Sequence, residues 1–376
     1  MAAGFDFVVL GGGIIGCSVA WGAAGAGARV AIVDGGDETF RASVGNFGLL
    51  WTQGKGANAP AYAKLTRDSA RLWPDFAREL IAATGVDFDF RQEGGTQFIL
   101  DEAIAERQQA NLAKPGEAKD EFDLEFIPAD VLRDRLPMIG PAVRGATYCR
   151  RDGAVNPLLL LKALRHGLLT KGVTFFQGKV AEALRKEQTG CTVIMRDGEI
   201  RADRVLLSAG LENRPLGEKA GFDVALFPQR GQLLVTERTA PFLPVLNSSI
   251  RQTVEGTVLI GATQEDAGFD KSVDVGSLKK LAERAVMIYP HIGQLRLVRS
   301  WACLRIMTPD GLPIYAQSQT MPGVFVATAH SGITLGAIHA KQLAPALLRG
   351  EIPDAFSTFR PDRFGQWETH ARGASH

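Results

Sequence analysis

The sequence predicts an α/β protein in which a mainly parallel sheet is interrupted by an inserted α+β domain built on a mixed or antiparallel sheet. Three observations support this prediction. Short apolar runs without a helical stripe end in glycine or other small residues, the first at Phe5–Leu10. Helical patterns follow the first and the last of these runs, as in strand-helix-strand units. From Pro228 to about Trp301, short strand patterns are separated by acids and turn residues, which favours antiparallel pairing.

A glycine motif directly follows the first strand. In GGGIIG, Gly11 permits a tight turn into a helix, Gly13 lets the backbone approach a pyrophosphate, and Gly16 lets helix and strand pack closely. The first helical turn directs N–H groups and a positive dipole end at the phosphates. A second strand, Arg29–Val33, ends in Asp34, whose carboxylate can accept both hydroxyls of a ribose. The unit predicts a Rossmann-like dinucleotide-binding domain; the alternative is a glycine-rich turn in another α/β protein.

Composition limits the classes of function. With 376 residues and 45% hydrophobic content, we expect a soluble globular protein with two domains. The net charge of +1 gives no electrostatic basis for binding nucleic acid or an anionic membrane. Four scattered cysteines without a CxxC pair disfavour a disulfide framework and any metal or iron–sulfur site built by this chain. The N-terminal apolar run contains an acid and no Lys or Arg, unlike a signal peptide. No stretch approaches the ~20 apolar residues of a membrane span, so a cytoplasmic location is expected.

Further elements are predicted along the chain. Residues Ala59–Thr84 form a long helix containing Pro74, and the polar stretch Lys114–Asp123 is expected to be the least ordered loop. Asn156-Pro157 opens a helix to about Thr170, because proline suits the first helical position after an Asn cap. The remaining predictions are strands at 96–100, 144–149, 173–176, 180–184, 192–196, 205–208, 230–235 and 258–263, and helices at 101–113 and 275–288.

Two segments of the sequence are predicted to pass close to a bound ligand. The stretch VGNFGLLWTQGKG, Val44–Gly56, mixes glycines with apolar residues, as in a loop whose backbone passes something flat. The alternative, a mobile surface loop, would leave Phe47 and Trp51 in water at a cost. Near the C-terminus, VFVATAHSGITL, Val324–Leu335, is a strand followed by a glycine-containing turn and a helix to about Leu348. The chain therefore carries nucleotide-binding features near both ends.

A single dinucleotide site is expected, because no second strand, GxGxxG and helix unit occurs. A ligand bound by elements around Gly11, Ala209 and Gly332 would be largely enclosed, which suits a flavin kept as a prosthetic group. The chain resembles, over nearly its whole length, the FAD-dependent amino-acid oxidoreductases that include glycine oxidase, sarcosine oxidase and D-amino acid dehydrogenases. The motifs that carry the resemblance are GGGIIG, Asp34, RASVGNFGLL (41–50), VNP (155–157), RVLLSAG (204–210), PQRGQ (228–232), WACLR (301–305), TPDGLP (308–313) and HSGITL (330–335).

The stretch Gly45–Gly56 is most similar to the flavoprotein B subunits of octopine and nopaline dehydrogenases and to the hydrogen cyanide synthase C subunit. The resemblance implies FAD as cofactor. Its implied cofactor-binding residues are Gly11, Gly12, Gly13, Ile14, Ile15, Gly16 and Asp34 for the ADP half; Val180 near the adenine; Ser43, Asn46, Gly48, Leu49, Ala209 and Gly210 along the cofactor; and Gly332, Ile333, Thr334 and Leu335 at the pyrimidine edge. It implies a FAD-binding domain at 1–85, 145–225 and 310–376, and a substrate-binding domain at 86–144 and 226–309.

The resemblance also implies a substrate site. Arg305 matches the arginine that clamps a substrate carboxylate, which a planar two-pronged donor does well; the alternative is a structural ion pair. His330 is a second catalytic candidate, with a buried structural histidine as the alternative. The polar candidates for the mouth of the site are Lys55, Tyr62 and Arg251, with ordinary surface residues as the alternative.

A covalent flavin link is one further alternative. Cys303 falls where monomeric sarcosine oxidases attach their flavin, but the tyrosine of that pattern is Arg305 here. We therefore interpret Cys303 as a small buried residue and expect the FAD to be non-covalent.

Three functions follow from these features. The first is the flavoprotein subunit of a heteromeric dehydrogenase for an opine, imino acid or D-amino acid, whose other subunits carry further redox centres and could tie it to a membrane. The second is a stand-alone amine oxidase that produces hydrogen peroxide. The third is a flavin-binding assembly subunit without its own catalysis.

Overall fold

The computed structural model describes residues 4–36, 42–56, 58–113 and 123–365. The chain forms two compact units: residues 1–39, 161–228 and 306–376 make the first unit, and residues 40–160 and 229–305 make the second unit. Arg41 and most of the predicted loop Lys114–Asp123 lie outside the described residues.

The first unit contains a sheet with eight strands among the described residues. Its first strand, Gly4–Leu10, is parallel to two neighbours, and Val9 lies opposite both Leu206 and Ile32. The main path runs in the order Ile314–Gln317, Val324–Thr328, Gly198–Leu207, Gly4–Leu10, Val30–Asp34, Thr174–Gln177. An antiparallel pair, Ala181–Lys186 and Cys191–Met195, joins Gly198–Leu207. Because parallel strands end at one edge of a sheet, the residues after the four central strands are brought together there.

The helix Ile14–Gly25 follows the first strand and is apolar and mostly buried. This fits a helix in the interior of a unit, since a surface helix would carry a polar face. The other helical segments of this unit are Pro157–Thr170, which begins before residue 161, Gly210–Glu212, Asn213–Lys219, Gly336–Ile338, a π-helical turn His339–Leu343, Ala344–Arg349, Asp354–Ser357 and Pro361–Phe364.

The second unit contains three small sheets among the described residues. The four-stranded sheet has the order Ile250–Gln252, Thr257–Gly261, Phe227–Arg238, Leu297–Met307, and its pairings across Thr257–Gly261 are antiparallel. A three-stranded antiparallel sheet contains Gly95–Ile99, Gly145–Cys149 and Leu124–Pro128, and Leu49–Leu50 pairs with Gly153–Ala154. The helical segments are Ala42–Gly45, Pro60–Thr84, Glu102–Ala113, Ala129–Arg135, Val275–Ile288 and Pro290–Gln294.

Helix Val275–Ile288 covers one face of the four-stranded sheet. Asp274 caps it by accepting a hydrogen bond from the backbone N–H of Ser277 at 2.6 Å. Its buried residues form one cluster with sheet residues of the three neighbouring strands: Leu281, Ala285 and Ile288 with Leu234, Ile250, Val258 and Ile260. Because successive side chains of a strand point to opposite faces, Arg251 belongs to the other face. Arg305 lies on that face as well, since its guanidinium is next to the β-carbon position of Gly231, which points away from the face of Leu234. We call this other face, which carries Arg251 and Arg305, the arginine face.

The compact units differ from the predicted domain boundaries. Segments 40–85 and 145–160 were expected in the cofactor domain, but they belong to the second unit. Pairing with the predicted substrate domain explains the difference, because Gly145–Cys149 forms a ladder with Gly95–Ile99 and the thiol of Cys303 donates to the Gly45 carbonyl. The side chain of Gln92 also donates to the carbonyls of Ala70 and Arg151, which ties the long helix to the same region.

Most predicted elements are present, but several observed elements were not predicted, among them the strands Ile250–Gln252 and Ile314–Gln317 and the helices Ala129–Arg135 and Asn213–Lys219. The strand Leu124–Pro128 and the edge strand Leu297–Met307 were not predicted, and the strand predicted at 180–184 spans Ala181–Lys186. The long helix spans Pro60–Thr84, contains Pro74 and ends at Gly85 in a left-handed conformation (φ 66°).

Candidate functional site

The glycine turn at the end of the first strand is closely packed. Gly11 has φ +109°, and a β-carbon there would lie 2.5 Å from the carbonyl oxygen of Ser208. A β-carbon on Gly16 would overlap the carbonyl oxygen of Gly11 and lie 3.0 Å from Val9. The glycines therefore allow the tight turn and the close helix–strand contact that the motif predicts. Gly13 precedes the helix in an extended conformation, so the first-turn N–H groups point out of the turn.

Asp34 lies at the end of the second strand and is almost fully buried, with 1% of its side chain exposed. Its Oδ2 accepts a hydrogen bond from Arg165 Nη2 at 2.9 Å, and its Oδ1 accepts one from the N–H of Gly36 at 2.9 Å. A β-carbon on Gly12 would overlap the same carboxylate. The glycine loop, the acid and Arg165 thus form one packed cluster at the carboxyl edge of the sheet.

Arg165 is a site residue that the sequence analysis missed. It lies 131 positions after Asp34, on the helix Pro157–Thr170. The sequence offers one weak signal, a charged residue within the apolar pattern LLLLKALRHGLL.

The predicted adenine contact Val180 lies beside this cluster. Its side chain is 60% exposed, and a β-carbon on Gly35 would be 3.0 Å from Val180 Cγ2. Because Gly35 follows Asp34 directly, the structure brings Val180 to the region that the ribose-binding prediction requires.

The C-terminal turn lies against the first helix. A β-carbon on Gly332 would be 3.4 Å from Ile15 Cγ1, so residues more than 300 positions apart in the sequence are neighbours. Ile333, Thr334 and Leu335 continue this turn, and Leu335 N–H donates to the Ser331 carbonyl at 3.0 Å.

A second turn lies at the same sheet edge. Ala209 N–H donates to Asn213 Oδ1 at 2.7 Å, and Gly210 has φ +66°. The predicted features from the beginning, the middle and the end of the chain therefore meet within the first unit.

The loop predicted to line the flavin belongs to the second unit. Asn46 Nδ2 donates to the carbonyls of Ala42 and Ser43 at 3.0 Å each, and its Oδ1 accepts from Gly48 N–H at 2.8 Å. These bonds hold the loop together, so the side chain of Asn46 has a structural role that the sequence analysis did not assign.

Gly48 and Leu49 lie close to the next part of the chain. Gly48 has φ +87°, and a β-carbon there would overlap the Val155 carbonyl and lie 3.2 Å from Arg251 Nη1. Leu49 pairs with Ala154. The flavin contacts of Ser43, Gly48 and Leu49 stay predictions.

Arg305 lies on the arginine face, in the edge strand Leu297–Met307. Its Nη2 donates to the carbonyl oxygen of Thr263 at 2.9 Å. Among the described residues no carboxylate forms an ion pair with it, and burial lowers its pKa, opposed by the neighbouring Cys303. Arg305 is half-buried, and a guanidinium in that position without a carboxylate partner among the described residues is suited to bind an anionic ligand.

Cys303 is buried, with 5% exposure, and its thiol donates to the Gly45 carbonyl at 3.3 Å. Burial raises the pKa of the thiol, opposed by the charge of Arg305. A neutral, buried thiol is a poor nucleophile, which agrees with its interpretation as a small buried residue.

Two of the polar residues predicted at the mouth of the site, Tyr62 and Arg251, are buried and not at the surface. Tyr62 and Arg251 are 4% and 3% exposed, so the surface alternative is wrong for both. Arg251 Nη1 donates to the Val155 carbonyl at 2.5 Å, and burial lowers its pKa to about 10. Sequence patterns do not show how deep an isolated polar side chain lies, because burial depends on residues distant in sequence, such as Val155 beside Arg251.

Lys55 and His330 differ from these two. Lys55 is half-buried, and burial lowers its pKa to about 7, opposed by Asp152. His330 is exposed in the turn before Ser331, so the buried structural alternative is wrong for it.

A buried polar network near Lys55 was also missed. Asp152 has no exposed surface, and it accepts hydrogen bonds from Thr52 N–H at 2.5 Å, from Thr52 Oγ1 at 2.7 Å and from Gln53 Nε2 at 2.7 Å. Three donors stabilise a buried carboxylate. The network fixes the end of the predicted flavin loop to the turn after Gly145–Cys149.

Comparison with known proteins identifies the family. The DAO family model, described as FAD dependent oxidoreductase, matches residues 6–346. The chain belongs to this family. It is therefore an FAD-dependent oxidoreductase, and the Rossmann-like fold and the FAD cofactor expected from the sequence are confirmed.

Individual relatives match nearly the whole length of the chain. The opine oxidase B subunit of Rhizobium meliloti is 36% identical over 363 residues, which cover 96% of this chain and 97% of that protein. The hydrogen cyanide synthase protein HcnC of Pseudomonas aeruginosa, also named as a subunit, is 28% identical over 407 residues, which cover 96% of each chain. The crystal structure of glycine oxidase from Geobacillus kaustophilus has a TM-score of 0.86 at 25% identity, covering 96% of this chain and 99% of that chain.

The residues of the first unit fit FAD. Gly11 and Gly12 let the loop pack against Ser208 and Asp34, the extended Gly13 leads into the helix whose first-turn N–H groups can donate to a ligand, and buried Asp34 supplies carboxylate oxygens at the same sheet edge. These are the two groups that a pyrophosphate and a ribose require.

Helix length and side-chain clustering bear on membranes and metals. In the parts of the chain that the structure describes, none of the helices is both long and apolar enough to span a bilayer. Within the same ranges, no cluster of three or more His, Cys, Asp or Glu residues is arranged to hold a metal ion.

Proposed function

We propose that this protein is an FAD-dependent dehydrogenase that oxidises the carbon–nitrogen bond of an opine, an imino acid or a D-amino acid, as the flavoprotein subunit of a heteromeric complex. The half-buried guanidinium of Arg305 carries the proposal, because its hydrogen-bond partner among the described residues is a carbonyl and not a carboxylate. An amino-acid-like substrate supplies the missing carboxylate. Two relatives that are named as subunits, of opine oxidase and of hydrogen cyanide synthase, support the complex, and the first also supports the substrate class.

Arg305 orients the substrate in this proposal. One guanidinium nitrogen is held by the Thr263 carbonyl, so the remaining N–H groups donate to both carboxylate oxygens. A carboxylate fixed at two points places the amine-bearing carbon in one orientation, which lowers the entropic part of the barrier. Bound FAD supplies a hydride acceptor at N5, and water hydrolyses the imine product.

The chain needs no side-chain base for this reaction, since the amine reacts as its neutral form. His330 stays a candidate for a role at the substrate, because it lies in the exposed turn that leads into Gly332–Leu335.

The cofactor would be held mainly by the first unit. The backbone at Gly13 and the first helical turn would receive the pyrophosphate, while Gly11 and Gly16 allow the turn and the helix packing; Asp34 would bind the ribose, with Arg165 fixing the orientation of its carboxylate. The remaining contacts are those that the sequence predicts: Val180 near the adenine, Gly332–Leu335 near the pyrimidine edge, and Ser43, Gly48 and Leu49 along the flavin.

A second candidate function is a stand-alone oxidase that passes electrons to oxygen. The likeness to the glycine oxidase structure from Geobacillus kaustophilus, at a TM-score of 0.86, favours it. Both candidates share the same carboxylate clamp and differ in the electron acceptor.

The proposal is tested by anaerobic mixing of the FAD-loaded protein with opines, imino acids, D-amino acids and glycine derivatives, following the flavin absorbance. We expect at least one class to bleach the flavin. Arg305→Ala should still load FAD but bind carboxylate substrates weaker by about 2–5 kcal/mol, because a buried charged pair is lost. Arg305→Lys keeps the charge without the planar fork and should lie between the two.

Two outcomes would contradict the proposal. Unchanged binding in Arg305→Ala would refute the clamp. A flavin that no compound bleaches would instead favour an assembly subunit whose catalysis resides in another chain.

A further inference from the structure

The motif PQRGQ, at 228–232, has no role in the function proposed so far, yet it lies next to Arg305. A β-carbon on Gly231 would be 3.0 Å from Arg305 Nε and 3.2 Å from Arg305 Nη2. Gly231 has no positive φ, so its backbone does not require glycine. A β-carbon at this position would instead crowd the guanidinium and the carbonyl oxygen of Thr263, which would lie 3.4 Å away.

Arg230 and Gln232, on either side of Gly231, bind the segment 263–265, and Thr263 contacts the same guanidinium. Arg230 and Glu265 exchange backbone hydrogen bonds at 2.9 and 3.0 Å. Arg230 also donates from Nε and Nη2 to Glu265 Oε2, at 3.0 and 2.6 Å, and from Nη1 to Asp270 at 2.6 Å. This two-pronged pair is largely buried, with 10% and 17% of the side chains exposed.

Gln232 completes the attachment. Its backbone N–H donates to Thr263 Oγ1 at 2.8 Å, and its Nε2 donates to Glu265 Oε1 at 2.7 Å. Thr263 Oγ1 in turn donates to Glu265 Oε1 at 2.5 Å. The hydroxyl of Thr263 is therefore bound by both the Gln232 backbone and the Glu265 carboxylate. The carbonyl oxygen of Thr263 is the acceptor for Arg305 Nη2.

We propose that Gly231 and the Arg230–Glu265 pair are positioning residues that fix the Arg305 guanidinium for carboxylate binding. This inference rests on the proposed function, since it assumes that Arg305 binds the substrate carboxylate. Gly231 gives the guanidinium a flat surface, and Glu265 holds Thr263 so that one guanidinium nitrogen stays occupied. A pre-oriented guanidinium loses less conformational freedom when the carboxylate arrives.

The test compares a carboxylate probe with a neutral probe of the same shape, glycolate with glycolamide, by their perturbation of the flavin spectrum. In Gly231→Ala, we expect the Kd of glycolate to rise about tenfold, because the added methyl displaces the guanidinium, and that of glycolamide to stay unchanged. In Arg305→Ala, the further change Gly231→Ala should have no effect, since the group that it displaces is gone.

Gly293→Ala is the matched control. Gly293 belongs to the same unit, and a β-carbon there would meet its nearest atoms at 3.6 Å, which is ordinary contact. This variant should bind both probes as the unmodified protein does. Glu265→Gln is the second positioning variant; it keeps the shape of the side chain, and we expect a few-fold weaker glycolate binding with unchanged glycolamide binding. It decides the question if Gly231→Ala does not fold.

The outcomes separate this inference from the proposed function. If the unmodified protein does not respond to glycolate, or if Arg305→Ala binds it equally well, the carboxylate clamp is wrong and the positioning role falls with it. If Arg305→Ala loses glycolate while Gly231→Ala and Glu265→Gln keep it, the clamp stands and the positioning inference is overturned. Equal losses of both probes would show a general structural defect and would also overturn it.

Discussion

At the scale of single residues, Gly12 lies against the carboxylate of Asp34. A β-carbon on Gly12 would overlap Asp34 Oδ2 and lie 3.2 Å from Arg165 Nη2. Asp34 is buried and paired with Arg165 at 2.9 Å, so it cannot move aside without breaking that pair. The Asp34 carboxylate therefore leaves no room for a side chain at position 12, and Arg165 holds that carboxylate in place.

We predict that Gly12→Ala lowers the affinity for FAD about tenfold or more. The methyl group displaces the carboxylate that we propose to accept the ribose hydroxyls, and a hydrogen bond to a charged group contributes about 1.5–3 kcal/mol. Titration of the apoprotein with FAD, followed by the quenching of flavin fluorescence, measures the change.

Gly25→Ala is the control for this variant. Gly25 ends the same first helix, and a β-carbon there would meet no atom within 4 Å. If Gly12→Ala binds FAD as tightly as Gly25→Ala does, the proposed role of Asp34 is wrong.

Two members of this cluster, Gly12 and Asp34, could be predicted from the sequence, but Arg165 could not. Gly12 and Asp34 belong to a local pattern of glycines, strand and acid, which spacing alone reveals. Arg165 is brought to Asp34 by the sheet, across 131 positions, and no local pattern marks it. The depth of Arg251 was missed for the same reason, since its bond to the Val155 carbonyl spans 96 positions.

At the scale of elements, the C-terminal helical region contains a buried histidine. His339 begins the π-helical turn His339–Leu343 and has no exposed surface. Its Nε2 lies 2.6 Å from the hydroxyl of Tyr315, and its Nδ1 has no hydrogen-bond partner among the described residues. Burial lowers the pKa of His339 to about 3, so the folded protein keeps the ring neutral.

This pKa predicts an acid-sensitive stability. An unfolded histidine has a pKa of about 6.5, so below that pH the unfolded chain takes up a proton that the folded chain does not. The free energy of unfolding should fall by about 1.4 kcal/mol per pH unit between pH 6.5 and 3, or by about 2 kcal/mol at pH 5. Urea unfolding at pH 7, 6 and 5 measures this contribution.

His339→Gln isolates the histidine from the other titrating groups. Glutamine does not titrate and can still bond to the Tyr315 hydroxyl. The variant should therefore lose stability less steeply between pH 7 and 5. Parallel curves for the two proteins would contradict the lowered pKa.

Elements were predicted well where one pattern determines them. The buried strands Gly4–Leu10 and Val30–Asp34 and the helix Val275–Ile288 follow directly from apolar periodicity and capping. The edge strand Leu297–Met307 was missed, because one end is exposed and carries both apolar and charged residues, which gives no clean alternation. The boundary at 40–85 was missed because this segment is attached to the second unit by contacts between residues distant in sequence, such as the bond from the Cys303 thiol to the Gly45 carbonyl, which spans 258 positions.

At the scale of the whole molecule, each compact unit is assembled from separate stretches of chain. The first unit combines three segments and the second combines two. The repeated return of the chain to one sheet was predicted from nucleotide-binding features near both termini. The electron acceptor was not, because no motif in the sequence specifies where a reduced flavin passes its electrons.

The proposed place in a heteromeric complex makes a prediction about that acceptor. If a partner chain normally receives the electrons, the isolated protein should be reduced by its substrate but reoxidised slowly by oxygen, while a small electron-accepting dye restores turnover. Stopped-flow reduction, oxygen consumption and dye reduction on one preparation measure the three steps.

Arg305→Ala serves as the control, since it should slow the dye-coupled reaction at low substrate through weaker binding. Rapid oxygen consumption with release of hydrogen peroxide, without partner or dye, would contradict the role in a complex and favour the oxidase. The carboxylate clamp would survive that outcome, because the acceptor acts after the substrate has been oxidised.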